Sequence, residues 1–207
     1  MNIREQLEIS CVLKGEREDV AEHINKVYSE VFRVDPPPVD VVFVAEQGPN
    51  IIGTLGFDYC DDRGKMPLQS IFCFDSTKTP LPYDPRISIQ FSRWTSKDPS
   101  VSLALIYATT SYALEQGMRY GWSEQKRDAV ISATKAGVKL HEVKDAAINS
   151  RSIPDEVRAF YTSEPIPKLY MTDLDQMCKA TKKRLSLLQT KWVICFQRER
   201  KKLINSL

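Results

Sequence analysis

Alternation and helical spacing of apolar residues divide the chain into a run of elements. Glu8–Leu13 (EISCVL) is a short apolar run that predicts a first strand, broken by Lys14-Gly15. Glu16–Phe32 then places Val20, Ile24, Val27 and Val31 at helical spacing, with acidic residues in its first turn where the helix dipole favours them. Asp35-Pro36-Pro37-Pro38 forbids helix. Val39–Glu46 and Ile51–Cys60 read as the two strands of a hairpin around Gln47-Gly48-Pro49-Asn50, and Leu68–Phe74 as a further strand.

The most informative stretch is Arg86–Gly117. Ile87, Ile89 and Phe91 alternate with Ser88, Gln90 and Ser92, the period of a strand. Lys97-Asp98-Pro99-Ser100 is a polar break, and Val101–Gln116 runs on as a helix with Leu105, Ala108, Tyr112 and Leu114 inward, stopping at Gly117. Strand, turn and helix leave backbone N–H groups free just beyond the strand, where an anion or a carbonyl oxygen can dock. Met118–Ser123 predicts a strand parallel to the central one, Glu124–Lys135 a helix ended by Gly137, Val138–Asn149 a strand, Asp155–Tyr161 a short helix and Lys168–Met171 a last strand. Asp173–Leu207 has no Pro or Gly and carries an apolar stripe through Leu174, Met177, Cys178, Leu185, Leu188, Trp192, Cys195, Phe196 and Leu203. That predicts a long amphipathic C-terminal helix, packed on the domain or a partner, dimerising, or lying at a membrane surface. The organisation is then one domain, 1–171, followed by a helix, 172–207. The fold class is α/β (α+β): an antiparallel half joined to a parallel strand–helix–strand half in one mixed sheet, with a cleft where the two parallel strands part.

Composition narrows the chemistry. A formal charge of +2 over 207 residues gives no global case for nucleic acid. Five scattered cysteines without a C-x-x-C pair fit reduced thiols in the cytoplasm. His23 and His141 are isolated, so no metal site is expected. The start, MNIREQLEIS, lacks the apolar core of a signal peptide, and no run is long enough to span a membrane.

The order of elements, with Gln90-Phe91-Ser92-Arg93-Trp94 on the central strand and Ala113, Gly117, Gly121 and Trp122 after it, resembles the GNAT acyltransferase fold. Within it, the chain is most similar to the acyl-homoserine lactone (autoinducer) synthases and the long-chain N-acyl amino acid synthases, whose central strand carries a pattern like E-x-S-R-F. The resemblance spans Glu8–Met171 by topology, with its motifs concentrated in Ile87–Ser123. Two departures stand out. The family's acid is Gln90 here, which is no base, and Asp98-Pro99-Ser100-Val101-Ser102 lacks the glycines that let a backbone approach a diphosphate. The resemblance implies attack of an amine on a thioester, with no permanently bound cofactor. The co-substrate would be acyl-phosphopantetheine on acyl carrier protein, or acyl-CoA, and the missing glycines fit the carrier protein better.

The residues implied for that chemistry are Glu46, or a water held by Gln90 or Ser92, as proton acceptor and Ser123 as proton donor to the leaving thiolate. A backbone N–H near Trp94-Thr95 would hold the carbonyl oxygen, Arg93 a carboxylate or carrier phosphate, and Ser100 and Ser102 a phosphate at the helix start. Phe57, Tyr59, Phe72, Phe74 and Trp122 would line a tunnel for a long acyl chain. Each has a plainer reading. Arg93 can be a strand arginine paired with an acid, Gln90 a hydrogen-bonded strand residue, Glu46 a solvated charge, Ser100 an N-cap, and the aromatics ordinary core. Lys97, Arg119, Lys126, Arg127, Lys135 and Lys139 suggest a basic face for an acidic carrier protein, or simply a solvated one. Three functions follow: N-acyl transfer of a long chain from carrier protein to an amino-acid amine, acetyl-CoA-dependent acetylation, and a non-enzymatic interaction module on the same scaffold.

Overall fold

The computed structural model describes residues 5–34, 36–187 and 192–196. Strand β1 (Glu5–Leu13) is followed by helix α1 (Glu18–Phe32), the hairpin β2 (Val41–Gln47) and β3 (Asn50–Tyr59), and a loop region holding the two-residue strand β4 (Phe72–Cys73). Then come β5 (Ser88–Ser92), α2 (Pro99–Glu115), β6 (Tyr120–Gln125) and α3 (Arg127–Lys135). The short strands β7 (His141–Glu142) and β8 (Ala147–Ile148), then α4 (Asp155–Thr162), β9 (Lys168–Asp173), α5 (Leu174–Leu187) and β10 (Trp192–Phe196) complete the order. Among the described residues the main sheet has eight strands in the order β10-β1-β2-β3-β5-β6-β9-β7, and β4 pairs with β8 in a small sheet of their own.

The mixed sheet is the expected one: β1, β2, β3 and β5 pair antiparallel in succession, and β5 and β6 run parallel. Alternation assigns the two faces. Ile9, Phe43, Leu55, Phe57, Ile89 and Phe91 pack on α2, which is buried nearly all round because α5 covers its outer side. On the opposite face, α1 seats Val20 and Ile24 on Val42 and Val44, while Met66, Leu68, Phe72, Trp122, Tyr161 and Met171 form a second cluster under the loops and α4. Between α1 and that second cluster the sheet is left open.

Four expectations change. Helix does not continue to Leu207: α5 ends at Leu187, and Trp192–Phe196 is a strand parallel to β1, from Glu5↔Trp192 to Ile9↔Phe196. Its β-branched and aromatic run, Trp192-Val193-Ile194, suits an edge strand; Leu188 and Leu203 of the predicted stripe lie outside the described residues. Leu68–Phe74 is a single 3-10 turn (Pro67–Ser70) and then β4, because Pro67 starts a turn more readily than a strand. Val138–Asn149 is split into β7 and β8. Finally, strand rather than helix holds Glu124 and Gln125, and α3 begins only at Arg127. Among the described residues no helix is long and apolar enough to cross a membrane.

Candidate active site

Strands β5 and β6 pair over Ser88↔Tyr120, Ile89↔Gly121 and Gln90↔Trp122 and then part. Beyond that point β6 goes on pairing with β9 as far as Gln125↔Lys168, whereas β5 turns toward β3, where the Thr95 N–H donates to the Thr54 carbonyl at 3.1 Å. The turn is made at Arg93, whose φ of 59° is in the left-handed region that non-glycine residues enter at a cost of about 1 kcal/mol. Its guanidinium compensates by donating from Nε at 3.0 Å, and from a terminal nitrogen, to the Pro37 carbonyl, with its carbon 5.9 Å over the Tyr28 ring. Gly121 makes the vertex possible: a Cβ there would lie 2.4 Å from the Phe91 ring.

The gap opens into a cleft of about 1670 Å³ that runs through the sheet. On the helix side it is apolar, walled by Ile106, Ala133, Val138, Leu140 and Met177. On the loop side it is polar and aromatic, with Tyr28, Asp58, Gln90, Arg93, Glu124, Phe160 and Tyr161, while Tyr59 and Trp94 border it from the α2 face. Val27 and Val31 of α1, expected in the core, line its mouth, and Val31 is exposed.

Glu124 is the acid at the vertex. Tyr161 donates its hydroxyl to Oε1 at 3.3 Å, and Gln90 donates from Nε2 to Oε2 at 3.4 Å. Gln90 is itself fixed, because its Oε1 accepts the Leu68 N–H at 2.7 Å. Burial pushes the Glu124 carboxyl up to about 7, against Arg93 and the Tyr161 hydroxyl, which favour the charged form. Asp58 is also pushed up by burial, to about 6, and exchanges hydrogen bonds with its neighbour: it accepts the Asp40 N–H at 3.2 Å, while Asp40 accepts the Tyr59 N–H at 3.0 Å. Burial holds Tyr28 at about 12, and the Arg93 and Trp94 backbone N–H groups face its phenol oxygen. That phenol therefore sits where those two N–H groups would receive a carbonyl oxygen.

The structure brings some of the predicted site residues together and not others. Gln90, Arg93, Trp94, Thr95, Ser123 and Tyr59 line the cleft. Ser123 is buried on the helix side, opposite in direction to Glu124 by strand alternation. Thr95 is committed to the fold, its hydroxyl accepting the Thr54 N–H at 2.9 Å and meeting His23 Nε2 at 3.4 Å. Arg93 is held by a carbonyl rather than by an acid. Ser92, the other expected water holder, lines the cleft, and its buried hydroxyl has no partner among the described residues.

Glu46 is not at the cleft. It caps the far end of β2, tied to Arg17 at 2.8 Å. Ser100 and Ser102 are not there either. The N-cap of α2 is Asp98, whose Oδ1 accepts the Ser100 and Val101 N–H groups at 2.7 and 3.4 Å, and the Ser102 hydroxyl accepts from Trp94 Nε1 at 3.3 Å. Of the aromatics, Phe57 is core against Tyr59 and Tyr112, Phe72 packs on Tyr161, and Phe74 and Trp122 stack together with Tyr83. The cleft takes its aromatic wall from Tyr28, Trp94, Phe160 and Tyr161 instead.

No protein-family model and no curated protein matches the chain. Solved structures do. BjaI, a CoA-dependent acyl-homoserine lactone synthase determined with SAM and isopentyl-CoA, aligns with a TM-score of 0.59 at 15% identity, over 93% of this chain and 95% of its own. FeeM, an N-acyl amino acid synthase from uncultured soil microbes, aligns at 0.56 and 11%, over 89% and 99%. The acyl-homoserine lactone synthase LasI aligns at 0.55 and 11%, over 82% and 91%. What is shared at such identities is architecture: this chain has the GNAT-like fold of the acyl-homoserine lactone and N-acyl amino acid synthases.

Proposed function

We propose that the protein is an N-acyltransferase that moves a long acyl group from a thioester to the amine of an amino acid or a similar acceptor. The observation that carries this reading is the cleft through the split between β5 and β6, apolar on one face of the sheet and charged on the other. A fatty chain fits the helix side, the thioester lies at the vertex, and the acceptor comes from the loop side. There Arg93 keeps Nη1 without a partner among the described residues, suited to an acceptor carboxylate. The acceptor nitrogen forms its bond to the carbonyl carbon, the C–S bond breaks, the thiolate leaves, and Glu124 takes the amine's proton. Much of the rate comes from holding the two partners at the vertex.

Acyl carrier protein is the donor we favour. The Asp98 carboxylate already takes the first free N–H groups of α2, so the usual anion site for a diphosphate is filled from within. Lys97 and Lys126 at the rim suit an acidic carrier. In this reading the acyl-transfer unit runs through residue 171, and the segment from 172 onward closes it, with α5 supplying Met177 to the inner wall. CoA remains the second reading, because BjaI is a CoA-dependent synthase on the same fold. Incubation with acyl carrier protein thioesters and acyl-CoAs of graded length, plus mixed amino acids, decides between them by mass spectrometry of N-acyl products. Product from the carrier thioesters is expected, product from CoA alone moves the donor assignment, and no product from any donor overturns the function.

A further inference from the structure

We propose that Gln90 and Tyr161 are positioning residues that hold the Glu124 carboxylate toward the acceptor amine, so that acid and amide can be exchanged across the split between β5 and β6. The inference rests on the acyl-transfer reading but has a readout independent of it.

Three elements converge on one carboxyl. Glu124 is on β6, two residues past the last position at which β5 and β6 pair. Gln90 faces it from β5 on the same side of the sheet, with its amide nitrogen 3.4 Å from Oε2. Tyr161 faces it from α4, with its hydroxyl 3.3 Å from Oε1. Both donors are themselves fixed. The Leu68 N–H at 2.7 Å leaves Gln90 one orientation, oxygen toward the turn and nitrogen toward Glu124. The Tyr161 ring packs edge-on against Phe72, with centroids 6.1 Å apart.

The consequence is a carboxylate that cannot rotate freely. Gln90 and Tyr161 each donate to one of its oxygens, and the Glu124 backbone N–H is a further donor to the charged form. The other charged or titratable groups facing it are Arg93 from the end of β5, Asp58 from β3 and Tyr28 from α1. Burial raises the Tyr161 phenol far above its ordinary value, so its hydroxyl stays a donor across the working pH range. A donor to the charged form lowers the pKa of an acid, so losing the Tyr161 hydroxyl raises the Glu124 midpoint further above about 7. Because Gln90 and Glu124 form a hydrogen-bonded pair on adjacent strands, reversing their identities keeps the pair and moves the charge to β5. There the Leu68 N–H bonds to a carboxylate oxygen and stabilises its charged form.

Two variants test this. In Tyr161→Phe, the Glu124 carboxyl is followed by carbon NMR of glutamate-labelled protein with no substrate present. Its midpoint is expected to rise by about half a pH unit or more. The acid limb of kcat/KM moves up by the same amount. In the exchange pair, Glu124→Gln alone loses transfer. Adding Gln90→Glu recovers roughly tenfold or more of the lost rate, with the acid limb now below that of the wild type. A Tyr161→Phe midpoint equal to the wild-type one overturns the proposal, as does an exchanged variant that folds but is no faster than Glu124→Gln. Should no thioester yield product with the wild type, the acyl-transfer reading fails and the NMR midpoints still decide the positioning roles.

Discussion

The two faces of the sheet at the split solve opposite problems. On the helix side, α2 is sandwiched between the sheet and α5, and Val101, Ala104 and Leu105 are buried there in the apolar core. On the loop side the same strands carry Gln90, Asp58 and Glu124 into a space between α1 and α4, whose Tyr28 and Tyr161 reach it from either side. One face is where the stability comes from. The other keeps carboxyl groups in surroundings that oppose their charge, and in the proposed reaction that opposition would keep a base ready near neutral pH. The difference teaches that a chain can hold an expensive acid only because the opposite face of the same strands is ordinary core.

Exchanging Glu124 for Gln sharpens this most. Transfer is expected to fall by about 10²–10⁴-fold, the usual weight of a general base, read as kcat/KM with the preferred thioester. Stability moves the other way. The native Glu124 carboxyl titrates near 7 against 4.5 for an ordinary glutamate, so the folded chain binds that proton more tightly than the unfolded one. Its contribution is therefore favourable at low pH and is lost as pH rises from about 4.5 through about 7. The Gln variant lacks that loss and is expected to be more stable than wild type at pH 8, by on the order of 1–3 kcal/mol in denaturant melts. A variant both inactive and less stable at pH 8 would place Glu124 in the structural core, with no special role in the cleft.

The same division explains how much was legible in the sequence. Alternation in Ile87–Ser92 and the unbroken apolar run of α2 give the central strand, its helix and the parallel partner, because regular packing imposes regular spacing. Gln90, Arg93 and Trp94 were found because they follow that strand. Glu124 was missed for a local reason. An acid just before Arg127-Asp128 reads as the first turn of a helix, whereas pairing with β9 as far as Gln125 keeps it in the strand. The aromatics misled in the other direction: strand aromatics such as Phe57 and Trp122 are core, and the cleft draws on α1 and α4, whose approach depends on long-range packing. Trp192–Phe196 failed similarly, since helical spacing there coincides with a run that the free edge of β1 recruits as a strand.

Leu105→Ala probes the supporting face directly. Leu105 is fully buried between α2 and the sheet, and its loss leaves a cavity in the closely packed layer. The expected cost is about 2–5 kcal/mol, measured by urea or thermal unfolding. At temperatures where the variant is still folded, kcat should stay close to the wild-type value, because no atom of Leu105 lines the cleft. A large fall in kcat without a fall in stability would mean that the two faces are coupled more tightly than their packing suggests.

The smallest effect separates donor from scaffold at the rim. Asp98 caps α2 by accepting the Ser100 and Val101 N–H groups. Removing that cap in Asp98→Ala should cost about 1 kcal/mol of stability, within the usual range for a lost N-cap. It also uncovers the first-turn N–H groups and removes a negative charge, which makes the helix start a better anion site. If the donor is a carrier-bound phosphopantetheine with no diphosphate to place there, KM for the carrier thioester should change little, while KM for acyl-CoA should fall. A rise in KM for acyl-CoA would show instead that the Asp98-capped turn is the geometry CoA requires, and it would move the donor assignment from carrier protein to CoA.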